Sequence, residues 1–171
     1  MGMSPYVRAL RKHVGHARLL LPSVAGIVRD AENRILLVQV RDDETWSTPG
    51  GSVEMTDTPA DAVVREVWEE TGLVVAPTRI LAVLGGPAFV VNYPNGDETQ
   101  YVSTIFECEV RGGALRDRGD GGDEIQAARF FLRDAALELN VSPWLRPVLS
   151  RLYDRGSAWF DPPTWSPADF T

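Results

Sequence analysis

Between Trp46 and Leu73 the chain joins two glycines, a capped helix and three clustered glutamates in one continuous stretch. No other segment restricts the fold as tightly. Thr58 is a strong N-cap, because its hydroxyl accepts a hydrogen bond from a free backbone N–H of the first turn. Pro59 takes the first helical position, where its missing N–H costs nothing. Asp61, three residues after the cap, is placed to complete a capping box. Gly72 is placed to close the helix in a left-handed conformation. Ala60, Val63, Val64 and Val67 recur at helical spacing and form an apolar stripe. The spacing therefore predicts a helix from Pro59 up to Gly72.

The carboxylates follow from that helix. At about 100° per residue, Glu66, Glu69 and Glu70 fall within an arc of roughly 100°. Their spacing of i, i+3 and i+4 makes them surface neighbours. Three like charges on one face repel, and a divalent cation makes the arrangement favourable. Hard oxygen ligands suit magnesium or manganese. An acidic helix face is otherwise simply solvated, and Asp61, Arg65 and Glu69 at i, i+4 and i+8 also read as an ordinary ion-pair ladder. Upstream, Trp46-Ser47-Thr48-Pro49-Gly50-Gly51 reads as a strand delivering a Pro-Gly-Gly turn. Its glycines let a backbone carbonyl approach a metal with no Cβ in the way.

Taken whole, the stretch resembles the Nudix box. That signature is Gly, five residues, Glu, seven residues, Arg-Glu, an aliphatic residue, any residue, Glu-Glu, any residue, Gly and an aliphatic residue. Gly51 opens it here, Arg65-Glu66-Val67 follows at the right distance, and Glu69-Glu70, Gly72 and Leu73 complete it. Asp57 stands where the family has its first Glu, and Thr56 where a Gly often precedes it. The resemblance extends over about residues 20 to 150 in element order. It implies an α/β fold, the Nudix-type α/β/α sandwich around a mixed β-sheet. It also implies a magnesium-dependent hydrolase, with manganese as an alternative ion, that cleaves a diphosphate bond in a nucleoside diphosphate linked to another group.

By position, the family's metal-binding acids correspond to Glu66, Glu69 and Glu70, with the Gly50 carbonyl as backbone ligand and Arg65 orienting a glutamate. The base corresponds to Glu66 in some members and to an acid of a downstream loop in others, for which Glu124 is the first candidate, ahead of Asp120 and Asp123. Arg41, just past a predicted strand, is a candidate phosphate contact. Tyr93, Phe89 and Tyr101 are candidates to stack a base, with core packing the plainer role. A catalytically weak Nudix-fold nucleotide-binding or regulatory module is the alternative, and the presence of all three clustered glutamates argues against it. An isoprenyl diphosphate isomerase of the same fold needs an active-site cysteine.

At 171 residues a domain of α/β size is expected. The expected division is a helix within 1–18, the hydrolase domain over 19–153 and a Pro- and aromatic-rich tail over 154–171. A net charge of −7 argues against a long nucleic-acid partner or an anionic membrane surface. It leaves room for a small phosphorylated substrate, since bound cations reverse the local sign. Cys108, the only cysteine, lies in an alternating apolar run and reads as a buried strand thiol. With no signal peptide and no apolar run of about 18 residues, a cytoplasmic location is the default expectation.

In chain order, Ser4-Pro5 starts a helix through Val14 with Gly15 as its stop. Tyr6, Leu10 and Val14 share one face, and His13 and His16 read as surface residues. Leu19 to Val28, its start delayed by Pro22, and Ile35 to Val40 form a hairpin. Val74-Val75 and Ile80 to Leu84 read as strand interrupted at Pro77. Ala88 to Tyr93 and Thr99 to Val110 flank the Asn95-Gly96 turn. Arg111 to Asp123 reads as a loop, Ile125 to Leu132 as a strand, and Asp134 to Leu139 and Pro143 to Tyr153 as helices. The tail carries Trp159, Phe160, Trp165 and Phe170 without a period. Wrapping over the domain, a homodimer contact and a loose tail all stay open.

Overall fold

Alternation of side chains along the strands decides how the layers form. The computed structural model describes residues 3–41, 44–116, 125–152 and 157–164. The described elements are α1 (Pro5–Val14), β1 (Leu19–Arg29), β2 (Ile35–Val40), β3 (Trp46–Ser47), β4 (Gly50–Ser52), α2 (Pro59–Thr71) and β5 (Leu73–Leu84). A 3₁₀ turn (Pro87–Phe89), β6 (Val90–Asn92), β7 (Glu98–Gly113), β8 (Ile125–Phe131), α3 (Arg133–Glu138) and α4 (Leu145–Arg151) follow. Val24 and Val28 of β1, with Leu36 and Val38 of β2, pack on Ala62, Val63 and Val67 of α2. The intervening Ala25, Ile27, Ile35 and Leu37 point the other way, onto Ala136, Leu145, Val148 and Leu149 of α3 and α4. Helices thus cover both faces of one mixed sheet, the α/β sandwich expected.

Strands β1 and β2 meet only at Arg29 and Ile35, so the expected hairpin is closed at its turn and splayed beyond it. On the far side, β1 runs parallel to β7 along its whole length, from Leu19 opposite Thr99 to Arg29 opposite Glu109. β2 runs antiparallel to β8. β4 takes the edge of β1 that β2 leaves, with Ser23 opposite Ser52 and Ala25 opposite Gly50. β3 does the same for β2, with Val38 opposite Ser47. This split is where a cavity opens.

Several expectations are corrected by particular contacts. Pro22 does not delay β1. Its carbonyl accepts from Val53 N–H at 3.2 Å, on the β4 side. Its missing N–H therefore falls beyond the end of β4 and spares the β7 ladder. Gly50 and Gly51 form β4 rather than a turn. β5 is one strand through Pro77, because β5 lies outermost in the strand order β3-β2-β1-β7-β5 and register shifts flank the proline. Ala88 belongs to the 3₁₀ turn, so β6 starts at Val90. β7 continues through Arg111 to Gly113, stapled to Leu73 and Val74.

The N-terminal helix forms where expected but buries no residue, and Tyr6 and Val14 are exposed. Cys108 is fully buried in β7, and burial pushes its thiol up to about 12. Of the tail, Trp159 lies along the outer edge of β5. Its N–H donates to the Leu81 carbonyl at 2.8 Å, and its carbonyl accepts from Val83 N–H at 3.0 Å. Trp165 and Phe170 lie outside the described residues. Among the described residues, no helix is long and apolar enough to cross a membrane.

Candidate active site

The helix that carries the acids is fixed at both ends as its sequence dictates. Asp61 N–H donates to Thr58 Oγ1 at 3.2 Å, and Thr58 N–H donates to Asp61 Oδ2 at 3.3 Å, a reciprocal capping box. Gly72 adopts φ 76°, a region favouring glycine, and its N–H donates to the Trp68 carbonyl at 2.8 Å. Val63 and Val67 are fully buried, each worth about 1.5–3 kcal/mol relative to exposure.

The acidic face is not the solvated surface that three glutamates suggest. Glu66 is fully buried, because α2 presses it against β4. A Cβ added to Gly51 would lie 2.6 Å from Glu66 Oε1. The glycine at this point therefore makes room for a carboxylate, a packing reason that its place in the motif does not reveal. Arg65 organises the group. Its Nη1 donates to Glu66 Oε1 at 2.7 Å and to Glu69 Oε2 at 3.3 Å. Its Nη2 donates to Asp57 Oδ2 at 2.9 Å and to the Ser52 carbonyl at 3.1 Å. The shorter acid Asp57 thus sits inside the same network. Burial works against the Arg65 charge, but Asp57, Glu66 and Glu69 outweigh it and hold the guanidinium firmly protonated.

Glu66 Oε2 is buried with no hydrogen-bond partner among the described residues. Burial pushes the Glu66 carboxyl up to about 7, Arg65 opposes the shift and Glu69 adds to it. Glu70 Oε2 accepts from the Gly50 N–H at 3.1 Å, so it is the amide of Gly50 that engages the acidic face here. A buried carboxylate with unused acceptor capacity, beside two more on the same helix face, fits the hard-oxygen donor set that magnesium or manganese takes. Among the described residues no three such groups already converge as a cage, since Arg65 holds Glu69 and Gly50 holds Glu70.

A cavity of about 670 Å³ begins at Gly50, Gly51 and Glu70 and passes between the splayed strands. Its walls include Phe89, Tyr93 and Tyr101, the aromatic candidates. Tyr93 Oη and Tyr101 Oη pair at 2.8 Å, while Phe89 is buried against Trp144 with ring centroids 5.9 Å apart. Arg41 is exposed and is not among the lining residues, although Val40 before it is. Glu124, Asp120 and Asp123 lie outside the described residues. The described chain before them ends at Arg116, whose Nη2 donates to the Trp68 carbonyl at 3.1 Å at the end of α2.

Two contributors escaped the sequence. Glu54 lines the cavity beside Ser52, and its only signal is its place three residues past Gly51. The N-cap Ser4 and residues of α1, notably Val7 and Arg11, line it too, and nothing in the amphipathic pattern of α1 predicts that.

This arrangement of box helix, glycine strand and split sheet defines a Nudix domain, and the sequence model of the NUDIX domain matches residues 19–152. The chain belongs to the Nudix family. It is 36% identical over 130 residues to an ADP-ribose pyrophosphatase of Methanocaldococcus jannaschii, covering 72% of this chain and 68% of that one. It is also 36% identical over 123 residues to a putative ADP-ribose pyrophosphatase of Bacillus subtilis, covering 72% of this chain but 56% of that one. A MutT-like protein of Streptomyces ambofaciens is 37% identical over 94 residues and is spanned for 54% of its length. The chain therefore spans little more than half the length of these last two relatives. Among solved structures, an ADP-ribose pyrophosphatase from Streptococcus suis shares 28% identity with a TM-score of 0.58, covering 82% of this chain and 98% of that one. A UDP-X diphosphatase shares the fold at a TM-score of 0.65 and 24% identity, covering 92% of this chain and 74% of that one.

Proposed function

We propose that this chain is a divalent-metal-dependent pyrophosphohydrolase that cleaves the diphosphate bond of a nucleoside diphosphate linked to a second group. The observation that carries this reading is the buried Glu66 carboxylate. One oxygen is fixed by Arg65 and the other is unpartnered among the described residues, and the carboxylate packs against Gly51, which lines the cavity with Gly50 and Glu70. The relatives named as ADP-ribose pyrophosphatases support the same class of substrate.

Glu66, Glu69 and Glu70 would hold magnesium or manganese, and the ion, when bound, would neutralise charge on the diphosphate and acidify a water. The protein's own residues do the positioning. Arg65 fixes one oxygen of Glu66 and favours its ionised form against the burial that disfavours it. The Gly50 N–H orients Glu70. The absence of Cβ atoms at Gly50 and Gly51 lets β4 close on the backbone of β1 and on the Glu66 carboxylate. A carboxylate takes the proton of the attacking water, and Glu66 and Glu124 are the two candidates. A cavity of about 670 Å³ is of the size that accommodates a nucleotide-sized ligand.

The test is a hydrolysis panel of ADP-ribose, sugar nucleotides, dinucleoside polyphosphates and nucleoside triphosphates, with and without magnesium and with products separated. Turnover of one class that needs the metal, with loss in Glu66→Gln, is expected. If no member turns over while nucleotide still binds without metal, the chain is a binding module.

A further inference from the structure

We propose that α1, which lies outside the residues matched by the family, is a substrate-specificity element, and that Arg11 is the positioning residue that holds it in place. This rests on the reading of the cavity as a nucleotide site. Four observations carry it. First, Val7 and Arg11 of α1 and its N-cap Ser4 line the same cavity as Gly50 and Glu70, so the helix walls the site from a side that the box does not reach. Second, no whole residue of α1 is buried, and Val7 and Leu10 are only half-buried, so apolar packing contributes little to its docking.

Third, polar anchors do explain it. The Arg11 side chain is only 9% exposed. Its Nη1 donates to the Ala17 carbonyl at 2.6 Å, and its Nη2 donates to the Glu98 carbonyl at 2.7 Å and Thr99 Oγ1 at 3.2 Å. Its Nε lies 3.5 Å from Asp97 Oδ2. His16 Nδ1 lies 2.7 Å from Asp97 Oδ1, and Asn95 Nδ2 donates to Asp97 Oδ2 at 3.0 Å. A planar five-donor fork can join a helix, a connecting segment and a strand at once, and a lysine cannot. Fourth, the cavity walls from β6, β7 and the turn between them carry Tyr93 and Tyr101, whose paired hydroxyls leave their ring carbons as an aromatic surface. Along β1, Tyr101 lies opposite Leu21 and Gly50 opposite Ala25, and Arg11 docks α1 on Glu98 and Thr99, so α1 and this tyrosine wall lie toward the end of the cavity away from Gly50. An apolar and aromatic compartment there takes a flat heterocycle, while the acidic end takes the diphosphate.

Two probes separate the two ends: inorganic pyrophosphate and ADP, each titrated calorimetrically in magnesium into the full chain. Val7→Trp fills the compartment, and Arg11→Ala and Arg11→Lys release the helix. All three are expected to weaken ADP at least tenfold and to change pyrophosphate less than twofold. Tyr93→Leu, on the opposite wall, shows the same selectivity if a tryptophan at position 7 misfolds. Lys12→Ala, exposed on α1, changes neither. Equal weakening of both probes, unchanged ADP affinity, rescue by Arg11→Lys, or a wild type that binds pyrophosphate but not ADP would each overturn the proposal. A wild type that binds both probes selectively but hydrolyses nothing refutes the hydrolase reading and leaves this one standing.

Discussion

Helices α1 and α2 begin with the same local chemistry and meet opposite tertiary fates. Ser4-Pro5 caps one and Thr58-Pro59 the other, and in both the cap oxygen accepts an N–H three residues on, at 3.1 Å from Val7 and 3.2 Å from Asp61. Yet α2 buries Ala62, Val63, Glu66, Val67 and Thr71, and α1 buries none. A cap starts a helix but does not dock it. Docking of α2 is apolar and holds a charged face against β4; docking of α1 is largely polar and converges on Arg11 and Asp97. On the proposed reading, the first gives rigidity under the chemistry and the second gives contact with the substrate.

The contrast breaks most sharply in activity. Glu69→Gln removes a carboxylate that is partly exposed, so turnover should fall at least about 100-fold with an unchanged melting temperature. Near-normal turnover would detach the box acids from the chemistry. Stability gives the next pair. Val67→Ala should cost about 2 kcal/mol in denaturant unfolding, since a fully buried side chain is cut back. Val14→Ala on α1, where the valine is exposed, should stay within about 0.5 kcal/mol. The caps sharpen this further. Thr58→Ala should lower global stability by about 1 kcal/mol. Ser4→Ala should leave global unfolding unchanged and instead speed hydrogen exchange of α1 amides, because α1 opens without the core.

The smallest effect concerns acid. The hydrogen bond from His16 holds the Asp97 carboxyl below its ordinary value against burial, with Asn95 and Arg11 assisting. A carboxylate whose folded pKa is depressed stabilises above its unfolded value, and that contribution is lost as pH falls through the folded one. Protection of α1 should therefore drop below about pH 4, measured by hydrogen exchange, and Asp97→Asn should abolish that pH dependence.

Local signals explain what could be read in advance. The ends of α2, the Asn95-Gly96 hairpin and the grouping of Glu66, Glu69 and Glu70 all depend on residues within a few positions of each other. Long-range pairing was not legible. Nothing in Leu19 to Arg29 says that its partner is β7 in parallel, or that β1 and β2 meet only at Arg29 and Ile35. Pro77 looked like a strand break because its neighbours in space, not in sequence, decide whether its missing N–H is needed. Gly50 and Gly51 looked like a turn because the reason for them, the backbone of β1 and the Glu66 carboxylate, lies across the fold. Arg11 looked like one more surface charge, since its partners at 97 to 99 are supplied only by the docking of α1.

Manganese binding followed by its electron paramagnetic resonance tests the central claim most directly, because it reads the acidic face without any choice of substrate. The wild type should bind manganese in competition with magnesium, and Glu66→Gln, Glu69→Gln and Glu70→Gln should each weaken it about 10–100-fold. Unchanged manganese affinity across all three variants would contradict the assignment of the α2 carboxylates as the metal-binding centre.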